Sequence, residues 1–533
     1  MKNKHLILIT LVAFVLGSCA RKGRPEGGPK DETAPIMVTA NPPYETIRFD
    51  DDNIRIYFDE YIVLKELQKQ LVVSPPMKNP PLITPQGTPS KYINIKILDT
   101  LQPNTTYTFN FGNAVQDNNE NNKLESFKYV FSTGSYIDSL RIKGSVADAF
   151  DKKEVKEVSV LLYKLDSTYN DSIIFKQKPN YVTSTLDSTN FEFSNLREGK
   201  YLMLALKEQA NDYIFSSKND KIGFFADTIT LPADSVINKP IRFFKEIQPY
   251  KFKRGKEVTK GKIQFGFEGK QDNMNVELLS EVPEDFKSFS QFEKDKDTLN
   301  YWFTPLEKDS LNFIVNNLNF KDTVTVFLRK KKIDSLSVSS SVGSVLHLKD
   351  TMFINTNNPI VSFDKTKFSL VDNDTVDIAF ELQQQSINKL AVFFEKKPKH
   401  GYTFKGLPKG IVDVYETTND SLDYKFTTRA VDDYGSIVLD VKKETKHPVI
   451  IQLLSRDEVV KTAYVSESKK VEFTLLDPKE YTVRAIIDEN NNRAWDTGNF
   501  LLRKQPEQII YLEAEFKLRA NWVQNETFVI SDQ

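Results

Sequence analysis

The chain has 533 residues, with 72 basic and 73 acidic side chains, a balance that excludes recognition of nucleic acid through a broad basic field. Its length implies about three to five domains of roughly 100–200 residues each. A single cysteine, Cys19, excludes any disulfide within the chain, so each domain must stand on a hydrophobic core, and 38 Phe and 21 Tyr supply one.

In chain order, Lys2 and Lys4 come first, Leu6 to Leu16 form an apolar run, and Leu16-Gly17-Ser18-Cys19 closes it. The run is too short to cross a bilayer as a helix, and it ends in small residues suited to a cleavage pocket. This pattern is similar to a bacterial lipoprotein signal, which implies a signal peptide over residues 1–18 and lipid on Cys19. No later stretch is apolar over a membrane-spanning length. The expected anchor is therefore lipid, and two or three acyl chains, at about 0.8 kcal/mol per buried methylene, hold far better than one. Residues 19–34 are rich in Gly, Pro and charge and read as a lipidated flexible tether. Ala20 stands where an aspartate is the familiar inner-membrane retention signal, which favours the outer membrane. Lys30-Asp31-Glu32 resembles the Lys-acidic-acidic signal that sends some Bacteroidetes lipoproteins outward, which favours the cell surface over the periplasmic face. The plain alternative for these residues is a solvated linker.

Residues 35–134 alternate as strands do: Ile54, Ile56 and Phe58 share one face, and Ile93, Ile95 and Ile97 share another. Ser74-Pro75-Pro76 and Gln102-Pro103-Asn104 punctuate the runs. The segments Ile56 to Tyr61, Val73 to Pro76, Leu101 to Tyr107 and Phe131 to Gly134 resemble, in order, a bacterial Ig-like domain of the S-layer type. The resemblance implies a scaffold or binding module, since that family shares no catalytic site. Residues 138–240 carry Ile142 to Val146, Val158 to Tyr163, Phe191 to Leu196 and Gly199 to Ala205. That order resembles a transthyretin-like or carboxypeptidase-regulatory-like sandwich, which again implies interaction.

Phe193, Leu196, Tyr201, Met203 and Ala205 align without gaps onto Phe473, Leu476, Tyr481, Val483 and Ala485, so residues 426–515 are expected to repeat the transthyretin-like fold. Between the copies, 246–345 and 346–425 read as two further β-rich, sandwich-like domains. The best helical stretch is Glu277 to Lys294, shortened by Pro283. Residues 516–533 follow the last expected domain as a C-terminal tail. The fold class is all-β: tandem β-sandwich domains behind a lipoprotein signal and tether.

Asp488, Asn490, Asn492 and Asp496 stand at positions 1, 3, 5 and 9 of an oxygen-ligand loop, so calcium is the one cofactor the sequence raises. Arg493 occupies the place where such a loop wants glycine, and Asn499 replaces the acid at position 12. The alternative is an Asn-rich turn between strands. Asp117, Asn119, Asn121 and Glu125 have similar spacing and read as a hairpin turn. His347, His400 and His447 sit in no catalytic motif, and no nucleophile elbow, phosphate loop or zincin helix occurs, so no enzyme is expected. Tripeptides such as Asp99-Thr100-Leu101 and Asp420-Ser421-Leu422 resemble O-glycosylation acceptors of exported Bacteroidetes proteins and equally fit ordinary turn grammar. Arg519 and Trp522 are the candidate partner-binding residues, because Trp and Arg favour binding hot spots. Tyr301-Trp302-Phe303 is a second aromatic group, for which core packing is expected. The expected role is a non-enzymatic accessory subunit docking on an outer-membrane β-barrel complex for barrel assembly, secretion or uptake. The alternative is a surface glycan-binding lipoprotein.

Overall fold

The computed structural model describes residues 30–329 and 331–532. Cys19 and the signal lie outside the described residues. Among the described residues the regular structure is almost wholly strand, and none of the helices is long and apolar enough to cross a membrane.

The first domain is a two-sheet sandwich. One sheet orders Met37–Asn41, Asn53–Leu64, Ser90–Lys96 and Leu82–Thr84, and the other orders Val72–Ser74, Thr106–Gly112 and Phe127–Ser132. The alternation read from sequence is the reason they stack. Ile54, Ile56, Phe58, Ile93 and Ile95 point inward from one sheet and meet Phe109, Phe111, Tyr129 and Phe131 from the other. Each such side chain contributes about 1.5–3 kcal/mol on burial, and Tyr129 keeps its hydroxyl satisfied by donating to the Pro42 carbonyl at 2.7 Å.

The second and fifth domains share one eight-stranded plan. In the second, Ser159–Lys164 pairs with Tyr181–Ser184 and Gly199–Lys207, and Leu140–Asp148 pairs antiparallel with Asn190–Leu196 and parallel with Ile241–Phe244. In the fifth, Val449–Ser455 pairs with Glu458–Val465 and Glu480–Ile487, and Gly435–Lys443 pairs antiparallel with Lys469–Leu476 and parallel with Val523–Ile530. The aligned residues take the same places: Phe193, Tyr201 and Ala205 are buried, as are Phe473, Tyr481 and Ala485. The two tyrosines bond alike, Tyr201 donating to the Arg197 carbonyl and Tyr481 to the Asp477 carbonyl, each four residues back. Of the stretch expected as a C-terminal tail, residues 516–532 are therefore part of the fifth domain. Phe528 and Ile530 enter the core, and Val523–Ile530 supplies the eighth strand, just as Ile241–Phe244 completes the second domain beyond residue 240.

The third domain packs the sheet Lys251–Thr259, Lys262–Glu268, Thr298–Phe303, Ser288–Phe292 on the sheet Asn275–Leu278, Ser310–Asn317, Phe320–Phe327. Phe265, Tyr301 and Phe313 meet edge to face at its centre. The helix expected over 277–294 does not form. Asn275–Leu278 ends in a turn at Pro283, and Ser288–Phe292 alternates and pairs with Thr298–Phe303, so sheet pairing outweighs local helix preference. In the fourth domain Ile354, Leu390 and Phe404 are fully buried. Its first strand, Val338–Ser340, moves the border back from 346, because it pairs with Met352–Thr356.

Domains two to five close into a ring. Ser217 and Gln248 exchange bonds at the second junction, and Lys218 of the second domain pairs with Glu268 of the third at 2.9 Å. Gly261 of the third abuts the Tyr415 ring of the fourth. The Nε2–H of His347 donates to the Leu475 carbonyl at 2.8 Å, and Arg429 pairs with Asp477, joining the fourth domain to the fifth. The fifth then returns to the second. At the second–third junction, hydrogen bonds from Lys253 and then Lys218 hold the Glu268 carboxyl at about 2. A carboxyl depressed below its ordinary value of about 4.3 stabilises the fold above that pH and loses the contribution as pH falls toward 2. Acid melts between about pH 4 and 2 are expected to be less steep in Glu268→Gln than in the parent. Identical acid dependence would remove this junction from the account.

Candidate functional site

The loop that follows Glu480–Ile487 closes the ring, and it holds the candidate calcium residues. Asp488 is buried, with one carboxylate oxygen accepting the Asn492 N–H at 3.0 Å and the other accepting the Arg493 N–H at 2.9 Å. The Asn492 side-chain oxygen accepts the Ala494 N–H, and the side-chain amides of Asn490 and Asn492 both donate to Asp496. Glu507 braces the loop from behind, accepting the N–H groups of Glu489 and Asp496. Burial pushes the Glu507 carboxyl up, those two N–H groups oppose the push, and the charges of Asp496 and Asp488 add to it. The four residues are thus brought together, but their oxygens face donors of the same loop.

The first repeat contains the same turn in different letters. Glu208 occupies the place of Asp488, and its carboxylate accepts the N–H groups of Asp212 and Tyr213, the counterparts of Asn492 and Arg493. Left-handed backbone falls at Asn211 and Tyr213 in one copy and at Asn491 and Arg493 in the other. An acid that anchors two N–H groups is a structural device of the repeat. Asp117 does likewise in the Ig-like domain, taking the N–H groups of Asn119, Glu120, Asn121 and Asn122. Burial pushes its carboxyl up, and these four bonds outweigh that and hold it below its ordinary value. No group of three or more His, Cys, Asp or Glu suited to a metal occurs among the described residues.

The second copy extends this loop, and the extension is the clasp that sequence reasoning missed. Phe500 is fully buried among side chains of the second domain, 5.7 Å from the Phe224 ring. Its N–H donates to Glu246 at 2.7 Å, Thr497 donates to the Lys245 carbonyl, and Gln505 donates to the Phe224 carbonyl. Gly498 lies so close to Phe244 and the Lys504 carbonyl that a Cβ would overlap both. Arg503 covers Phe500 at 4.4 Å and pairs with Asp171. From the other side, Phe150 of the second domain packs under Arg484 at 4.2 Å and against Trp495. The available signal was a bulky aromatic inside a polar insertion that the first copy lacks.

Arg519 and Trp522 do come together, the guanidinium lying 5.0 Å from the ring centroid. Trp522 is 49% exposed at the turn into Val523–Ile530, whose Val523 and Val529 are also exposed. Tyr301-Trp302-Phe303 is buried in the third domain. On the outer face of the Ig-like domain, Tyr57 and Tyr92 sit opposite each other with centroids 5.9 Å apart, and Arg55 lies 4.9 Å over Tyr92. Where the first and second domains meet, a polar cleft of about 760 Å³ is lined by Asn110, Lys128, Lys143, Thr183, Asp187 and Glu192 among others.

Residues 31–133 match the family described as the bacterial Ig-like domain. No curated protein matches the chain. Among solved structures, surface layer protein SbsC, domains 1–6, is similar at 11% identity over 91% of this chain and 68% of that one, with a TM-score of 0.17. The Bacteroides ovatus mixed-linkage glucan utilization locus protein SGBP-B, solved with a mixed-linkage heptasaccharide, is similar at 11% identity over 60% and 81%, with a TM-score of 0.17. The I9–I11 tandem of titin is similar at 10% identity over 53% and 100%, with a TM-score of 0.13. Such low TM-scores carry no argument about function. The chain carries a bacterial Ig-like domain at residues 31–133, at the head of a series of β-sandwich domains.

Proposed function

We propose that this chain is a non-enzymatic docking subunit of an outer-membrane β-barrel complex, held at the membrane by lipid on Cys19 and placed on the cell-surface side. The observation that supports the reading is the closed ring of domains two to five. A chain of sandwiches joined only by linkers would reorient freely. Here, the junctions at Gln248, Tyr415, Leu475 and Phe500 fix four domains relative to one another, which presents loops and strand edges at set distances. Fixed spacing serves a subunit that must engage a large partner at several points, because order already present is not lost on binding.

Purification of the full lipoprotein from native membranes in mild detergent, followed by mass spectrometry, tests the reading. A stoichiometric outer-membrane barrel is expected. Recovery of the protein alone, at a concentration where membrane complexes survive, overturns it.

Glycan binding is the second reading, and the exposed Tyr92 beside Tyr57 favours it: the two ring planes are tilted by 51° and Arg55 lies over Tyr92, so the group offers amphipathic rings and a guanidinium donor together at one outer surface. Retention on polysaccharide gels that Tyr92→Ala abolishes would establish it.

A further inference from the structure

The cleft between the Ig-like domain and the second domain has walls held at a set distance. Val72 of the Ig-like domain is buried among second-domain side chains, and the Val182 N–H donates to the Ser74 hydroxyl at 3.1 Å. Lys178 donates to the Met77 carbonyl at 2.6 Å, and Thr108 donates to Asn195 at 3.3 Å. At the cleft itself, the Asn113 amide reaches across to Asp187 at 3.2 Å. Domain junctions are a preferred place for ligand sites, and about 760 Å³ lies within their usual range of about 300–1,000 Å³.

The lining chemistry selects the ligand. Lys143 pairs with Glu192 at 3.4 Å, the Glu192 charge also acts on Lys128, and Asp187 accepts from Asn113. These two cations and two anions answer one another, so a charged ligand gains nothing here over water. The remaining polar lining is neutral. The side chains of Ser126 on one wall, and of Ser145, Asn190 and Asn238 on the other, have no hydrogen-bond partner among the described residues. Hydroxyls and amides both donate and accept. Phe191 and Ile237 are buried at the base, where Gly144 makes room for the Phe191 ring, since a Cβ there would overlap it. Burial pushes the Lys128 ammonium down, Glu192 opposes the push, and Arg141 and Lys143 add to it. That wall is withdrawn from water, which strengthens hydrogen bonds made beside it.

We propose that this cleft binds a neutral oligosaccharide, held by hydroxyl and amide side chains of both domains over an apolar base. A peptide also carries neutral donors and acceptors, but the main chain it would pair with is occupied. The Ser188 hydroxyl bonds both the Asn190 N–H and the Asn190 carbonyl, and the Thr183 hydroxyl donates to the Glu192 carbonyl. The assignment does not rest on the docking-subunit reading, and it places sugar in the cleft instead of on the Tyr57–Tyr92 face.

The test is calorimetric titration of the purified full-length protein, in a detergent without a sugar headgroup, with cellohexaose, maltohexaose, mannohexaose and xylohexaose. At least one is expected to bind, and to bind about tenfold more weakly to the double variant Asn190→Ala, Asn238→Ala, which removes two side-chain hydrogen bonds. Neither side chain has a partner in the protein, so the variant should melt with the parent. Failure of all four sugars to bind overturns the proposal, as does equal binding by parent and double variant. Binding lost in Tyr92→Ala but kept in the double variant also overturns it and moves the sugar to the tyrosine face. Tighter binding of hexagalacturonate, or of a neutral Ser/Asn-rich decapeptide, overturns the choice of ligand class. Co-purification of a barrel is a separate measurement, so the docking-subunit reading fails or stands independently of these titrations.

Discussion

Replacing Phe500 by alanine is expected to open the ring of domains two to five while leaving each domain folded. The side chain belongs to the fifth domain but is buried in the second, so its loss empties an interface and no single core. Phe-to-Ala truncation at a filled site costs about 3–5 kcal/mol. What remains is the packing of Phe150 against Arg484 and Trp495, together with hydrogen bonds from Thr497, the Phe500 N–H, Gln505 and the Tyr511 hydroxyl, each bond contributing about 0.5–1.5 kcal/mol. The Arg503–Asp171 pair is partly exposed and contributes about 0–1 kcal/mol. The apolar plug is thus the largest single part of the closure.

Lys153 and Asp457 give a direct readout, because they form an exposed ion pair at 2.7 Å between the second and fifth domains. Pyrene maleimide on Lys153→Cys and Asp457→Cys should show excimer fluorescence in the parent and lose it in Phe500→Ala. Gly498→Val should give the same loss by a different route, pushing against Phe244 and the Lys504 carbonyl. Persistent excimer emission in both variants would mean that the polar contacts suffice and that the clasp is misidentified.

The Ig-like core was legible because strict alternation of Ile and Phe has one physical solution, two sheets facing each other. The repeat was legible because Phe193, Leu196 and Tyr201 span a short link between two strands that pair with different neighbours yet fill one core, so the second copy preserves their spacing. The last strand was hidden for the opposite reason. Val523–Ile530 pairs in parallel with Gly435–Lys443, and the intervening strands carry no local trace of so distant a partner. The helix expected near Pro283 failed because Ser288–Phe292 finds a neighbour that an isolated segment does not have. In the Asp488 loop, alternating oxygen side chains serve a metal or a turn equally well, and only the burial of Asp488 with its two N–H donors separates the two uses. Phe500 reads as one aromatic in a polar loop, and its destination lies in a domain more than two hundred residues earlier. Arg519 and Trp522 were named from residue preference as binding residues, and their contact with each other across the turn was not foreseen.

Asp488→Ala is expected to lower the stability of the fifth domain by about 1–3 kcal/mol, because the buried carboxylate that accepts the N–H groups of Asn492 and Arg493 is lost. In a unit of about 100 residues, a loss of about 2 kcal/mol moves the melting midpoint by roughly 8–16 °C. Asp488→Asn, which keeps one acceptor oxygen, should cost about half as much. The first repeat supplies an independent check. Glu208 performs the same task for Asp212 and Tyr213, so Glu208→Ala should destabilise the second domain to a similar degree, even though its loop lacks the Asp-x-Asn-x-Asn spacing. Calcium separates the two explanations of the sequence pattern. If the loop is a turn held by its own donors, millimolar calcium and subsequent chelation should leave the midpoint of the parent chain within about 1 °C, since a ligand stabilises only in proportion to its binding. A rise of several degrees in the parent that is absent from Asp488→Ala and present in Glu208→Ala would assign the loop to calcium. The conserved geometry of the two repeats would then be a scaffold on which only the second copy had built a metal site.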